Sequence, residues 1–422
     1  MSMTAFVLFG SFFLFLILTV PIGIALGLAG LITALYSPNI SITFLTQGLV
    51  TSTDNFALMA VPFFILAGEI MGKGGISTRL FDLANVFVGR FTGGFAMAAI
   101  ITCMFFSAIS GSGPATVAAI GGIMIPAMVA QGYDKKFATA VIVSAGSLGI
   151  VIPPSIPMVL YGVSASESIG DLFIGGILPG ILIGLVMMIW VYIYSKQKGY
   201  TGTNDKFTFK NMLQSINDAK WSIFVPIIIL GGIYGGIFTP TEAAVVAVVY
   251  TTLVSLFIHK EVKLTSFKQI ISDASLNSVV ILLIIGTANS FGTILSMEKI
   301  PEALANVFLN ISQNRLVIIL LIILLLLVIG CFIDTSAAVV IFTPILLPIS
   351  VEIGLNPIHF GVLMIATLAV GFITPPLGVN LFVGSGISGI SMPTLVRAVI
   401  PFFFVMLLCI ILIALIPQLA LI

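Results

Sequence analysis

A chain of 422 residues with 59% hydrophobic residues, 7% charged residues and a mean hydropathy of +1.26 is not a soluble globular protein, since such proteins carry about 25% charged residues. The formal net charge of +1 offers nucleic acid no basic surface. Two histidines and three cysteines (Cys103, Cys331 and Cys409, each inside an apolar run) give no metal or haem cluster.

Long apolar stretches separated by short polar loops instead read as an all-α polytopic membrane protein. The N-terminus, Met1-Ser2-Met3-Thr4, lacks a basic leader, so the first apolar segment is expected to be retained. Two short spans come first (4–19 and 22–36), then a third (54–72), together a scaffold over 1–72. An amphipathic arm (77–90) carries Leu80, Leu83, Ala84 and Phe87 on one face. A hairpin (93–130), a span broken at Pro153-Pro154 (136–164) and a last span (171–195) complete this half. A polar, basic stretch (201–220) reads as a cytoplasmic linker. The order then recurs: scaffold spans within 222–296 (222–238, 241–258 and 276–296), an arm (299–312; Ala303, Leu304, Val307, Phe308), a hairpin (316–351), a span broken at Pro375-Pro376 (358–386) and a last span (397–418). Thr239-Pro240-Thr241-Glu242 has the form of a capping box with proline at the first helical position, so a new helix starts there.

The recurrence is a duplication. A shift of 222 places Pro126 on Pro348, Pro153-Pro154 on Pro375-Pro376 and Pro179 on Pro401, and puts Gly132, Gly149 and Gly162 on Gly354, Gly371 and Gly384. The repeats are 1–200 and 221–422. With each hairpin re-entrant, each half crosses the membrane an odd number of times, so the second half is inverted. Charge agrees. Of 16 basic residues, 14 fall on one side: Lys73, Arg79, Arg90, Lys135, Lys136, Lys196, Lys198, Lys206, Lys210, Lys220, Lys260, Lys263, Lys268 and Arg397. That side is cytoplasmic by the positive-inside rule, which leaves both termini periplasmic.

Broken helices at matching positions of two inverted halves point to a transport site. A proline pair removes two amide donors and frees carbonyls one turn earlier. Inside a bilayer, such backbone survives only where it lines protein or a wet cavity. Carbonyls with serine and threonine hydroxyls make an all-oxygen shell suited to a hard cation, and two symmetric breaks imply two shells. The hairpin tips, Ser107–Thr116 and Gly330–Ser336, face the same chemistry. No lysine or arginine lies deep in the hairpins or broken spans, so an anionic substrate needs helix N-termini, hydroxyls and bound cations. Candidate substrate contacts are Ser110, Ser112, Thr116 and Ser155 from one half, and Asp334, Thr335, Ser336 and Asn380 from the other. A mid-bilayer carboxylate costs about 2.5–3.5 kcal/mol, so Asp334 reads as functional; Asp-Thr-Ser-Ala-Ala reads equally as a helix N-cap, and the two roles are compatible. Glu242 is a cap, and Asp54 and Glu69 read as interfacial. No nucleophile–base or metal constellation for an intramembrane enzyme is present.

With tips and breaks located, the chain resembles the large M subunit of TRAP (tripartite ATP-independent periplasmic) transporters. Ser110-Gly111-Ser112-Gly113-Pro114-Ala115-Thr116, Ile152-Pro153-Pro154-Ser155 and Thr374-Pro375-Pro376 carry the resemblance, which spans essentially the whole chain. It implies a multi-pass protein of the bacterial inner membrane, a small four-helix Q subunit and a periplasmic substrate-binding protein. It also implies coupling to two or more Na+ ions, no covalent cofactor, and elevator motion of the hairpin-containing part against a scaffold. By resemblance, one Na+ would sit at Ser107, Gly149, Ile152 and Pro154, mostly on carbonyls, and a second at Gly330, Gly371, Thr374 and Leu377. The family's substrates are organic acids (C4-dicarboxylates, sialic acid, keto acids and sugar acids), and the sequence resembles the sialic acid branch somewhat more. The length suits a separate M subunit, since a fused Q–M chain would need four more spans first. The alternative is a stand-alone divalent-anion/Na+ symporter of similar architecture. That group carries Ser-Asn-Thr at both tips, where this chain has Ser110-Gly111-Ser112 and Asp334-Thr335-Ser336.

Overall fold

The computed structural model describes residues 3–38, 40–202 and 208–421. Lys206 and the side chain of Phe308, both used above, lie outside the described residues. The described chain is helical, in chain order α1 Met3–Ile17, α2 Ile22–Tyr36, α3 Ile42–Thr51, α4 Ala60–Lys73, α5 Ile76–Val88, α6 Gly94–Ser110, α7 Gly113–Ala130, α8 Lys135–Gly146, α9 Ile156–Ala165 and α10 Ile169–Lys198. There follow α11 Phe209–Tyr234, α12 Pro240–Leu253, α13 Leu264–Met297, α14 Ile300–Ile311, α15 Arg315–Phe332, α16 Thr335–Glu352, α17 Pro357–Gly371, α18 Val379–Ser388 and α19 Met392–Leu415. Among the described residues, nine helices are long and apolar enough to cross a membrane. Large apolar side chains such as Phe6, Ile17, Leu35, Ile189, Leu324 and Phe404 stand more than half exposed. In water such a belt would aggregate; in a bilayer it is the lipid face.

Local chemistry fixes the boundaries. The capping box of α12 forms as read, with Glu242 Oε2 accepting from the Thr239 amide at 2.8 Å. Ser112, Asp134, Ser155, Ser168, Asn314, Asp334 and Asn356 each cap the helix that follows them with a side-chain oxygen. Gly199 ends α10 in the left-handed region (φ +73°), where a side chain would be strained. Helices α7 and α16 both contain 18 residues and start 222 positions apart, at 113 and 335. Both proline pairs are joined by cis peptide bonds.

Three departures from the sequence reading stand out. The stretch expected as a linker, 201–220, is helical from Phe209 on. Phe209 opens α11, and the basic residues Lys210 and Lys220 lie in the first turns of a 26-residue helix. No proline or glycine occurs between Phe209 and Pro226, so nothing stops the helix from extending beyond the apolar segment. For the same reason α13 begins at Leu264, well before the expected 276, and runs 34 residues. Helix α3 was not anticipated.

Helices α1, α2, α4, α11, α12 and α13 pack mainly on one another. So do the hairpins α6–α7 and α15–α16, the broken helices α8–α9 and α17–α18, and the long helices α10 and α19. The arms bridge the two groups, α5 packing on α11 and α6 and α14 on α13 and α16, and the groups also meet directly where α13 packs on α16 and α4 on α6. Polar contacts gather the basic loops at one end of the molecule. Lys73 Nζ meets Asp273 at 3.0 Å, and Arg79 meets Glu261 at 3.0 Å. The Asp134 amide donates to Tyr200 Oη, the Gly93 amide to Tyr200 O, and Arg397 shares a crevice with Asp134 and Lys136. Helix α4 therefore ends where α13 begins, and α10 ends where α19 begins. In both of these pairs, elements related by the 222-residue shift run in opposite directions.

Candidate transport site

Each hairpin tip is a two-helix turn with a polar cap. At the first, α6 ends on Ser110, Gly111 takes φ +59°, and Ser112 Oγ accepts from the Ala115 amide. Thr116 Oγ1 donates to Ser112 O at 2.8 Å and lies 3.0 Å from Ser110 Oγ, closing the turn on itself. At the second, Asp334 Oδ2 accepts from the Ser336 amide at 2.9 Å. The N-cap reading of Asp334 is thus realised.

Each proline break is pressed against a tip. The Ile156 amide reaches Gly111 O at 3.4 Å, and Ser155 Oγ donates to Ile150 O at 2.6 Å. A Cβ on Gly149 would stand 2.5 Å from Ser112 O. In the other half the Leu377 amide donates to Cys331 O at 3.1 Å, and a Cβ on Gly371 would stand 2.5 Å from Gly330 O. Glycine is required at both places because backbone meets backbone. The first break is buried, whereas Pro375, Pro376 and Leu377 of the second are exposed.

At the first junction Gly149 and Pro154 of the break meet the tip backbone, while Ile152 packs against Gly180 of α10. Ser107 Oγ, in the last turn of α6, is buried without a hydrogen-bond partner. An orphaned hydroxyl beside unwound backbone fits a hard cation. Gly330, Gly371, Thr374 and Leu377 share the other junction. Thr374 Oγ1 donates to Val370 O at 2.7 Å, which leaves its lone pairs for a cation.

Between the tips lies a cavity of about 700 Å³. Of the predicted substrate residues, Ser110, Ser112, Asp334, Thr335 and Ser336 line it. Thr116, Ser155 and Asn380 are fully buried outside its wall. The first two brace their own tip and break. Asn380 donates through Nδ2 to Val143 O (3.1 Å) and Ser147 Oγ (3.3 Å), tying α18 to α8. The opposite wall was missed: Glu69 and Lys73 of α4 and Asn277 of α13 also line the cavity. Glu69, read as interfacial, faces the cavity because the neighbouring Gly68 packs on Ser110 and turns this side of α4 towards the tips. The i, i+4 spacing of Gly68/Gly72 and of Glu69/Lys73 was the available signal.

The family model described as "Tripartite ATP-independent periplasmic transporter, DctM component" matches residues 9–419. This chain belongs to the DctM family. It is the large membrane component of a TRAP transporter, and the relatives that follow carry permease names rather than enzyme names. It is 47% identical, over 95% of its length, to the isethionate TRAP transporter permease protein DctMQ of Oleidesulfovibrio alaskensis, of which it spans 63%. It is 40% identical to the C4-dicarboxylate TRAP transporter large permease protein DctM of Pseudomonas aeruginosa, with 94% of this chain and 93% of that one aligned. To the sialic acid TRAP transporter large permease protein SiaM of Vibrio cholerae it is 36% identical over the same shares. Its fold is shared with the crystal structure of the Alcanivorax borkumensis YdaH transporter (TM-score 0.66, 13% identity, 89% of each chain).

Proposed function

We propose that this DctM-family chain performs Na+-coupled uptake of a small organic anion across the bacterial inner membrane. A periplasmic binding protein delivers the anion, and a small four-helix Q subunit completes the membrane complex. The observation that carries the reading is the convergence of both hairpin tips on one cavity, each tip held against a proline break rich in free carbonyl and hydroxyl oxygen. Two such junctions supply two cation sites; the tips supply helix N-termini and hydroxyls for the anion. The hairpins, broken helices, α10 and α19 form the moving body of an elevator, and α1, α2, α4, α11, α12 and α13 form its fixed scaffold, bridged by the arms α5 and α14. This division follows the packing groups and the two repeats.

Relatives named for isethionate and C4-dicarboxylates are more similar to this chain than the one named for sialic acid. That order favours a short acid as the first cargo to test. Uptake is measured in liposomes holding this chain and its Q subunit under an inward Na+ gradient, with and without binding protein. Uptake that proceeds without binding protein would favour the self-sufficient symporter and overturn the TRAP reading. At the second junction, Thr374→Val removes one oxygen ligand; the Na+ concentration for half-maximal uptake is expected to rise about fivefold, equivalent to about 1 kcal/mol. An unchanged sodium response would count against that site.

A further inference from the structure

The cavity has two walls of different character. One is made of hairpin tips, which contribute hydroxyls, helix N-termini and Asp334. The other belongs to α4 and α13. Gly68 and Gly72 let α4 lie against the first hairpin: a Cβ on Gly68 would come 3.2 Å from Ser110 Cα, and one on Gly72 would come 3.7 Å from Ala119 Cβ. At 3.6 residues per turn, the next positions, Glu69 and Lys73, stand about 100° round the helix and one turn apart, and both line the cavity with Asn277. Among the described lining residues Lys73 is the one basic side chain.

Lys73 is held but not used up. Its Nζ is 3.0 Å from Asp273 Oδ2, and Gln269 Nε2 donates to Asp273 Oδ1 at 2.6 Å. Both carboxylate oxygens are occupied on the α13 side, while the ammonium has three donors and gives one to this pair. The Lys73 side chain remains 43% exposed.

We propose that Lys73 is a specificity-determining residue of the transport cycle. It is a fixed cation in the stationary wall that receives the acid group of the cargo as it leaves the hairpin tips. Glu69 and Asn277 beside it read a hydroxyl or amide on the same molecule, so the preferred cargo is an organic anion bearing a hydrogen-bonding group. This deepens the transport reading and rests on it. Lys73 lies at the basic, cytoplasmic end, so its contact belongs to release.

The test is trans-inhibition in liposomes carrying the full complex with binding protein. Labelled isethionate, succinate or sialic acid (whichever the wild type takes up fastest) is supplied outside, and the same unlabelled acid is loaded inside. For Lys73→Gln the half-inhibitory internal concentration is expected to rise about tenfold, and for Lys73→Arg to stay within about twofold of wild type. Asp273→Asn breaks the ion pair but leaves the cation, and is expected to stay within about twofold. An unchanged value in Lys73→Gln overturns the proposal. So does an equal rise in Asp273→Asn, which would make Lys73 only a clasp between α4 and α13. Should Lys73→Gln fail to insert, Lys73→Met takes its place. A wild type that moves none of the acids overturns the transport reading itself, a result distinct from either.

Discussion

Gly371→Ala is expected to abolish sodium-coupled uptake, whereas Gly122→Ala is expected to leave it near wild type. A methyl group on Gly371 would meet the Gly330 backbone at 2.5–2.6 Å on three atoms at once, with no flexible side chain to yield. Overpacking of this kind costs about 1–3 kcal/mol even in tolerant cores, and here it falls on the junction that would hold a cation. Gly122, on α7, has nothing within 4 Å of its added methyl, and alanine favours helix. Gly330→Ala should be intermediate, since its methyl would meet Gly371 Cα at 3.1 Å. Uptake rate and thermal stability of the detergent-solubilised protein, measured on the three variants, check this order. Normal sodium activation in Gly371→Ala would remove this junction from the mechanism.

Asp334→Asn and Asp334→Ala separate the two roles of this residue. Asparagine caps a helix about as well as aspartate, whereas alanine loses about 1 kcal/mol. If Asp334 only capped α16, Asp334→Asn would transport normally and Asp334→Ala would be impaired in proportion to its lost stability. Because the carboxylate also lines the cavity, both variants are expected to lose uptake by at least about tenfold, the equivalent of one charge-assisted hydrogen bond. Only Asp334→Ala should melt earlier. Melting curves beside uptake rates decide between the two.

Much of this was legible in the sequence because it rests on local rules. The capping box at Thr239, the caps at Ser112 and Asp334 and the proline pairs are short-range features, and the 222-residue shift reports the matched elements directly. What was not legible is tertiary. Helix α3 is only ten residues long, too short to read as a crossing. Glu69 and Lys73 each look like a single charge near a helix end, and their place in the cavity depends on Gly68 and Gly72 meeting a hairpin some forty residues away. Thr116, Ser155 and Asn380 have the right chemistry at the right depth. Whether a hydroxyl or amide near a helix start points at the cavity or back at its own turn is decided by packing, and for these three it points away.

The side chain of Asn380 has a consequence for how ions are counted. It is anchored in one half of the duplicated chain and hydrogen-bonded to the other, close to both unwound segments. If the two junctions hold the proposed sodium ions, filling one oxygen shell would shift the backbone that shapes the second, and the ions should load together rather than one by one. Uptake plotted against sodium concentration should rise as a sigmoid, and Asn380→Leu should flatten it towards a hyperbola.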